Sequence, residues 1–593
     1  MVISATGHDN ISNASPGEPV HLSSAAAAAA AADLEGNERS SLLTPSAEAD
    51  DDGDGDGNGD LLTAHEARDL SRGLAERHLS MLGIAGAIGT GLFLGLGGAV
   101  QTAGPAGALI GYAVIGLVVC AVQFALGEAA ALLPVTGSFV RHAEFLVDPA
   151  LGVALGYNLV YGNMLSIPSE MTAICVLAQF WFPDSDTAVP VVVIVLSILL
   201  TVAVGMSRIR VLGEVEYVFA WLKVLLVVGL VIMGVVIAAG GVDGTPAVGF
   251  RYWRDPGPFV EYLVAGSTGR FLGVWEVLTG AVFSFAGVES IAVAAAETRN
   301  PQRAIPAACK QVFLRILLFY VSSIIVVGML VASDDDRLDG QSGDAAQSPF
   351  VIAAQAAGVR AIPSIVNAVV ITSAWSSSNQ SLLAGSRVLY GLALKRQAPA
   401  VFLRTTSWGT PYACIALFTA PMFLSFLTLS SRAINVFWIF VDLTAAGVLV
   451  SWSSILLNHI RLRTAMRVQD IPLSRLPWHN RATLRTSQAA LVMCLTVLLT
   501  SGFSVFFPGH WDTSTFISSY LYVSSLLPPL HPARPLAPST PLADTPSDIP
   551  LVLGAYLIWK FLKKTSIVSL KSIPLVEALD QADKARERMS REI

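Results

Sequence analysis

Charged side chains are scarce in this chain. Asp, Glu, Lys and Arg make up 14% of the 593 residues, where soluble domains carry about 25%. No lysine occurs before Lys223. This composition excludes an ordinary soluble domain, and with it most enzyme and nucleic-acid-binding classes. Cysteine is rare too. Cys120, Cys175, Cys309, Cys414 and Cys494 lie far apart inside apolar stretches, so neither a disulfide framework nor a zinc-ligand spacing can be read. The chain does not open with a basic stretch followed by an apolar one, so no secretory signal is expected. The formal charge of −7 comes largely from an acidic N-terminal run that includes Asp50, Asp51, Asp52, Asp54, Asp56 and Asp60. The Asp-x-Asp-x-Asp-Gly pattern beginning at Asp52 imitates a calcium loop, but its twelfth position is Thr63 where that chemistry needs a bidentate Glu. No metal or cofactor is implied.

What the chain has in abundance is apolar length. Hydrophobic residues make up 53% of it, and its mean hydropathy is +0.60. Residues 1–70 lack a sustained hydrophobic period and read as a disordered tail. Beyond them, apolar segments long enough to cross about 30 Å of hydrocarbon recur. They lie near 79–99, 106–133, 151–182, 188–206, 214–240, 275–296, 309–332, 362–392, 411–429, 434–459, 487–508 and 549–562. In lipid a helix satisfies its own backbone, so an all-α bundle of about twelve transmembrane helices is expected. With the N-terminus in the cytosol, the inner loops hold Arg141, Arg208, Arg210, Arg299, Arg303 and the series from Arg461 to Arg485, against fewer basic residues outside. The positive-inside rule then places both termini in the cytosol.

Segment 1 contains Gly83, Gly86, Gly89, Gly91, Gly95, Gly97 and Gly98. Small residues permit close helix packing in membranes. They also permit a helix to unwind, near Ile88, Gly89, Thr90 and Gly91, so that the amides of the second half grip an anion. Segment 6 decides between these readings. Its GAVFSFAGVES again interrupts the first segment of a five-segment set, so segments 1–5 and 6–10 read as an inverted repeat. Unwound carbonyls at Phe283, Ser284, Phe285 and Ala286 would accept from a cation while segment 1 donates to a carboxylate. A zwitterionic α-amino acid fits that pair. Phe283 or Phe285 could close over it, or simply pack.

Lys223 lies inside VEYVFAWLKVLLVVGLVIMGVVIAA. A lysine at membrane depth costs about 2.5 to 3.5 kcal/mol on insertion scales, which marks it as functional. Snorkelling to the surface is the alternative, but Lys223 is two turns past Glu216, roughly 10 Å along the helix. It suits proton coupling or a fixed charge in place of sodium. Glu128, Glu170, Glu216, Glu276, Glu289 and Glu297 accompany it. Glu289 follows the second break closely enough for gating or proton transfer. Ser376, Ser377, Ser378, Asn379 and Asp442 should face the bundle interior.

At these residues the chain resembles the fungal amino-acid permeases, the yeast amino-acid transporter family of the amino acid, polyamine and organocation superfamily. The strings that carry the likeness are RHLSMLGIAGAIGTGLF, LGEAAALLPVTGSF, VDPALGVALGYN, GEVEYVFAWLKV, GFRYWRDPGPF, FSFAGVESIAVAAAETRNPQRAIP and SRVLYGLA. The resemblance implies a five-plus-five inverted-repeat fold and proton-coupled uptake of L-amino acids at the plasma membrane. It also implies substrate contacts at both breaks, a coupling role for Lys223, and no enzymatic reaction. An amino-acid sensor that binds without transporting is the rival. Two features depart from the family. Asp442 stands where members commonly have asparagine, and the proline-rich residues 522–548 interrupt the last segment like a retained intron, leaving 549–562 as the remainder of helix 12. Within this frame 77–508 is the permease core and 563–593 a cytosolic tail. Ubiquitin-ligase machinery, on which such permeases depend for removal, would have Lys560, Lys563, Lys564, Lys571 and Lys584 to use.

Overall fold

The computed structural model describes residues 90–133, 137–182, 188–242, 246–289, 301–338, 348–358, 361–429, 433–511 and 548–591, with Val135 and Phe516. The N-terminal tail, Ile88 and Gly89, and nearly all of the proline-rich insertion lie outside the described residues.

Among the described residues there are fifteen α-helices and no strand. In chain order they are α1 Gly91–Leu132, α2 Phe139–Leu146, α3 Pro149–Ala178, α4 Ala188–Gly205 and α5 Ile209–Ala238. Next come α6 Gly266–Ser284, α7 Pro301–Arg315, α8 Ser322–Leu330, α9 Pro349–Ala356 and α10 Ala361–Leu394. The last are α11 Tyr412–Met422, α12 Ala433–Val468, α13 Thr483–Thr500, α14 Asp548–Lys563 and α15 Leu575–Arg591. Among the described residues, eight helical stretches are long and apolar enough to cross a membrane. The long helices α6 and α10 are not in that set. They carry the polar groups that line the interior, such as Glu276 on α6 and the Ser376–Asn379 run on α10, and these dilute their hydropathy. The apolar faces of α4 and α5 point outward: Val192, Leu199, Val218 and Leu225 are each more than 60% exposed. In water such a surface would be unfavourable, but against lipid tails it costs nothing.

The polypeptide turns within α1 at Gly104, whose φ of 75° and ψ of 169° are non-helical. Pro105 follows and cannot donate. A side chain at 104 would also collide with the backbone, since a Cβ there would lie 2.7 Å from Pro258 O. The loop after α5 docks on this kink, with Ala106 N donating to Pro258 O at 3.0 Å and Val260 N to Ala103 O at 3.2 Å. Helix α3 starts on Asp148, whose side chain accepts from Ala150 N at 2.9 Å, with Pro149 at the first helical position. Both are strong N-terminal signals.

The most extensive helix pairings are α3 with α10 and α1 with α6. Each joins matching members of the two repeats. At the end of the bundle that bears the basic loops, a second core forms from Leu132, Leu146, Leu462 and Met466 together with Ile573, Leu575 and Leu579 of the C-terminal segment. The same end is tied by Glu128, which accepts from Arg463 at 2.9 and 3.1 Å and from Asn480 N at 2.9 Å, and is 2.7 Å from His459 Nε2.

Candidate functional site

Helix α1 begins where segment 1 was expected to break, and helix α6 ends where segment 6 was. Thr90 caps α1. Helix α6 stops at Ser284, after which Phe285–Glu289 run as turns and Gly287 takes a φ of 87°. The N-terminus of one helix therefore meets the C-terminus of the other. Their contact is Gly91 against Ser284: a Cβ on Gly91 would stand 2.9 Å from both Ser284 Cα and Oγ. Helix dipoles make this junction positive on the Gly91 side and negative on the Ser284 side, which matches the two ends of a zwitterion.

Ser284 is held firmly. Its hydroxyl lies 3.0 Å from that of Tyr112 and donates to Gly280 O at 3.1 Å, while Tyr320 donates to its carbonyl at 2.6 Å. Tyr320 belongs to a π-helical turn, Ile316–Val321, between α7 and α8, an irregularity frequent at functional sites. Phe285 is wholly buried and stacks on Tyr320 with centroids 4.1 Å apart. Phe285 lines neither of the cavities described next. Carbonyls Phe283 O and Ser284 O each accept one bond already, from Ala286 N and Tyr320, leaving each a second lone pair.

Two cavities converge on this junction. The inner one, about 90 Å³, is lined by Gly91, Phe283, Ser284, Ala286 and Glu289 together with Asn158, Ser166, Glu170, Ser377, Gln380, Thr444 and Ser451. The outer one, about 300 Å³, is lined by Gly91, Phe283 and Ser284 again, with Gly95, Thr102, Tyr112, Glu276, Trp438 and Asp442. Along α12 the outer cavity takes Phe437 to Asp442 and the inner one Thr444 to Ser451. They occupy successive depths, and Phe283 belongs to both. Its ring stands edge-on to Phe437 with centroids 6.2 Å apart.

Lys223 is 1% exposed and lines neither cavity. Among the described residues its ammonium has no hydrogen-bond partner; the charges acting on it are those of Glu216 and Glu170. Glu216 accepts from Ser376 at 2.7 Å and from Gln380 at 3.0 Å. Glu170 accepts from Thr90 Oγ1 at 3.0 Å. Hydrogen bonds thus join the start of α1 to α3 and, separately, α5 to α10, and the charge of Lys223 acts on the carboxylate of each set. Glu289 accepts from Trp452 Nε1 at 3.1 Å.

The sequence pointed to Thr90, Gly91, Phe283, Ser284 and Ala286, which the fold brings together at the junction. Glu289 lines the inner cavity, whereas Lys223 lines neither. Sequence reading gave no specific role to Glu170 and passed over Tyr112, Tyr320 and Asn158. The available signal for Glu170 was a carboxylate beside Pro168 inside an apolar helix; a tyrosine in such a helix carries little signal of its own.

Comparisons with known proteins agree with this architecture. The Amino acid permease family profile matches residues 78–527. The chain is 37% identical over 490 residues to a proline-specific permease of Emericella nidulans, covering 82% of this chain and 88% of the relative. It is 36% identical over 494 residues to a dicarboxylic amino acid permease of Saccharomyces cerevisiae, covering 82% and 81%. A general amino-acid permease of the same yeast is 36% identical over 457 residues, covering 76% and 75%. Among solved structures, a manganese transporter of Eremococcus coleocola superposes with a TM-score of 0.53 at 10% identity, covering 82% of this chain and 94% of that one, a likeness of fold alone. This multi-pass membrane protein, with its five-plus-five inverted-repeat fold, belongs to the amino acid permease family.

Proposed function

We propose that the chain imports L-amino acids across the plasma membrane by proton-coupled alternating access, with both termini in the cytosol. The observation that carries this reading is the junction itself. Two opposed helix ends meet at Gly91 and Ser284 between cavities at successive depths, so one bound zwitterion can be approached from either side. The backbone at Thr90 and Gly91, continuing the Ile88–Gly89 stretch, takes the carboxylate, and that at Phe283 to Ala286 takes the ammonium. Phe283 separates the cavities and acts as the gate. Lys223, buried between two carboxylates, carries the coupling charge, and Glu289 at the inner cavity relays or gates. Residues 77–508 form the transporting core, 1–70 and 563–593 serve as cytosolic tails, and the 522–548 insertion leaves the core intact. Attachment of ubiquitin to the tail lysines removes the protein, and replacing all five with arginine should slow endocytosis.

The relatives are named for proline, dicarboxylic amino acids and a general range, so likeness leaves the side chain open. The test is expression in a permease-deficient yeast, with uptake of each labelled amino acid measured at two external pH values. Saturable uptake that rises in acid is expected. Binding without accumulation would favour the sensor.

A further inference from the structure

Asn158 on α3 and Thr444 on α12 both line the inner cavity, and they are 1% and 5% exposed. The Asn158 amide spans the two helices. Its Nδ2 donates to Gly447 O at 3.0 Å and to Ser451 Oγ at 3.2 Å. A carbonyl can only accept, so the amide cannot be reversed without losing the bond to Gly447, and its oxygen is the atom left over. Among the described residues Asn158 Oδ1 has no hydrogen-bond partner, and neither has the hydroxyl of Thr444. An unmet buried polar group is costly, and a ligand that brings several N–H groups satisfies both.

Position decides which ligand group meets them. Gly91, Ser284 and Ala286 of the junction line the same cavity, so a zwitterion that leaves the junction inwards enters it directly. Along α3, Asp148 lies at the end bound to the C-terminal segment and Glu170 at the level of the junction, where it accepts from Thr90. Asn158 falls between them. It therefore stands on the way from the junction to the basic-loop end.

We propose that Asn158 Oδ1 and the Thr444 hydroxyl form a second, inward station for the transported amino acid, accepting from its α-ammonium once that group has left the carbonyls of Phe283 to Ala286. The station rests on the permease reading. A carboxylate is the wrong ligand, because it would bring only lone pairs against Asn158 Oδ1. The station grips the part that amino acids share, so it sets affinity on the cytosolic side and not the choice of side chain.

Right-side-out plasma-membrane vesicles from permease-deficient yeast expressing the full chain are loaded with graded concentrations of an unlabelled amino acid. The probe is the labelled amino acid, of the twenty, that the wild type takes up fastest. Exchange then gives two constants, the external KM and the internal concentration for half-maximal exchange. Thr444→Val removes an unbonded hydroxyl at nearly constant shape, so it should fold normally. It should raise the internal constant about tenfold, the lower end for a hydrogen bond to a charged group, while the external KM stays within about twofold. Asn158→Leu should do likewise; if it fails to reach the membrane, Thr444→Val decides alone. Equal rises in both constants would mark a structural role, and no rise in either would mean that nothing binds there. A rise seen with internal lysine or glutamine but not with leucine or proline would put a side chain there instead of the α-ammonium. Each of these three results overturns the station and leaves a permease. Vesicles that take up none of the twenty amino acids would overturn the transport reading itself.

Discussion

Gly91 and Ser284 approach so closely that only a hydrogen fits between them: a methyl group on the glycine would stand 2.9 Å from the serine's Cα. Both helix breaks share this point, and the neighbours of Ser284 fix it there. Tyr112 holds the hydroxyl and Tyr320 the carbonyl, so the serine has little freedom to retreat.

Replacing Gly91 with alanine should therefore push the two half-helices apart. Overpacking of this kind costs about 1 to 3 kcal/mol. Amino-acid uptake should fall at least fivefold at unchanged surface abundance. Gly229→Ala is the control, because that glycine is exposed on α5 with nothing within 4 Å of an added Cβ. Equal uptake by the two variants would remove the contact from the mechanism.

Lys223→Met takes away the cation that acts on Glu216 and Glu170. Glu216 keeps its hydrogen bonds from Ser376 and Gln380, and Glu170 its bond from Thr90, so the variant should fold and reach the surface. Its uptake should no longer rise on acidification. A wild-type pH response would exclude Lys223 from coupling.

A pH effect on stability should come from His142, on the short helix α2 outside the spanning segments. Burial, together with the nearby Arg141, pushes its imidazole down from 6.5 to about 4, against the opposing pull of its bond to Leu133 O. The neutral ring donates from Nε2 to Leu133 O at 2.8 Å. Below pH 6.5 the unfolded chain takes up a proton that the folded chain refuses. The stabilisation is therefore complete above 6.5 and declines as pH falls towards 4, by about 1.4 kcal/mol per unit. Thermal unfolding in detergent at pH 7, 6, 5 and 4 measures this. His142→Gln should flatten the decline, and an unchanged slope would point to other groups.

Asp148 joins the start of α3 to the C-terminal segment. Besides capping Ala150 N, it accepts from Thr565 Oγ1 at 2.9 Å, from Tyr556 at 3.2 Å and from Lys560. Burial alone would raise its carboxyl, but the Lys560 ammonium and the other donors hold it below the usual carboxylate range. Asp148→Ala should cost about 1 to 2 kcal/mol, the upper range for a lost cap. Proteolysis after Lys560, Lys563 or Lys564 should also quicken. Unaltered cleavage would mean that the tail docks through the Ile573, Leu575 and Leu579 core alone.

The order of apolar segments, the two interruptions and the buried lysine were legible in the sequence, because each depends on neighbours along the chain. Lipid demands that every spanning stretch satisfy its own backbone, so apolar length dictates a helix, and glycines or FSFAG inside such a stretch mark where it fails. Which side chains share a space is set by how helices pack, and that carries no local signature. Thr90 reaches Glu170 across 80 positions and Tyr112 reaches Ser284 across 172. Phe283 and Phe285 are equivalent on paper, yet packing placed the first between the cavities and stacked the second against Tyr320. Tertiary structure also decided which charged side chains meet the cavities: helix rotation brings Glu276 and Asp442 to the outer one and Glu170 and Glu289 to the inner one, whereas Lys223 lines neither.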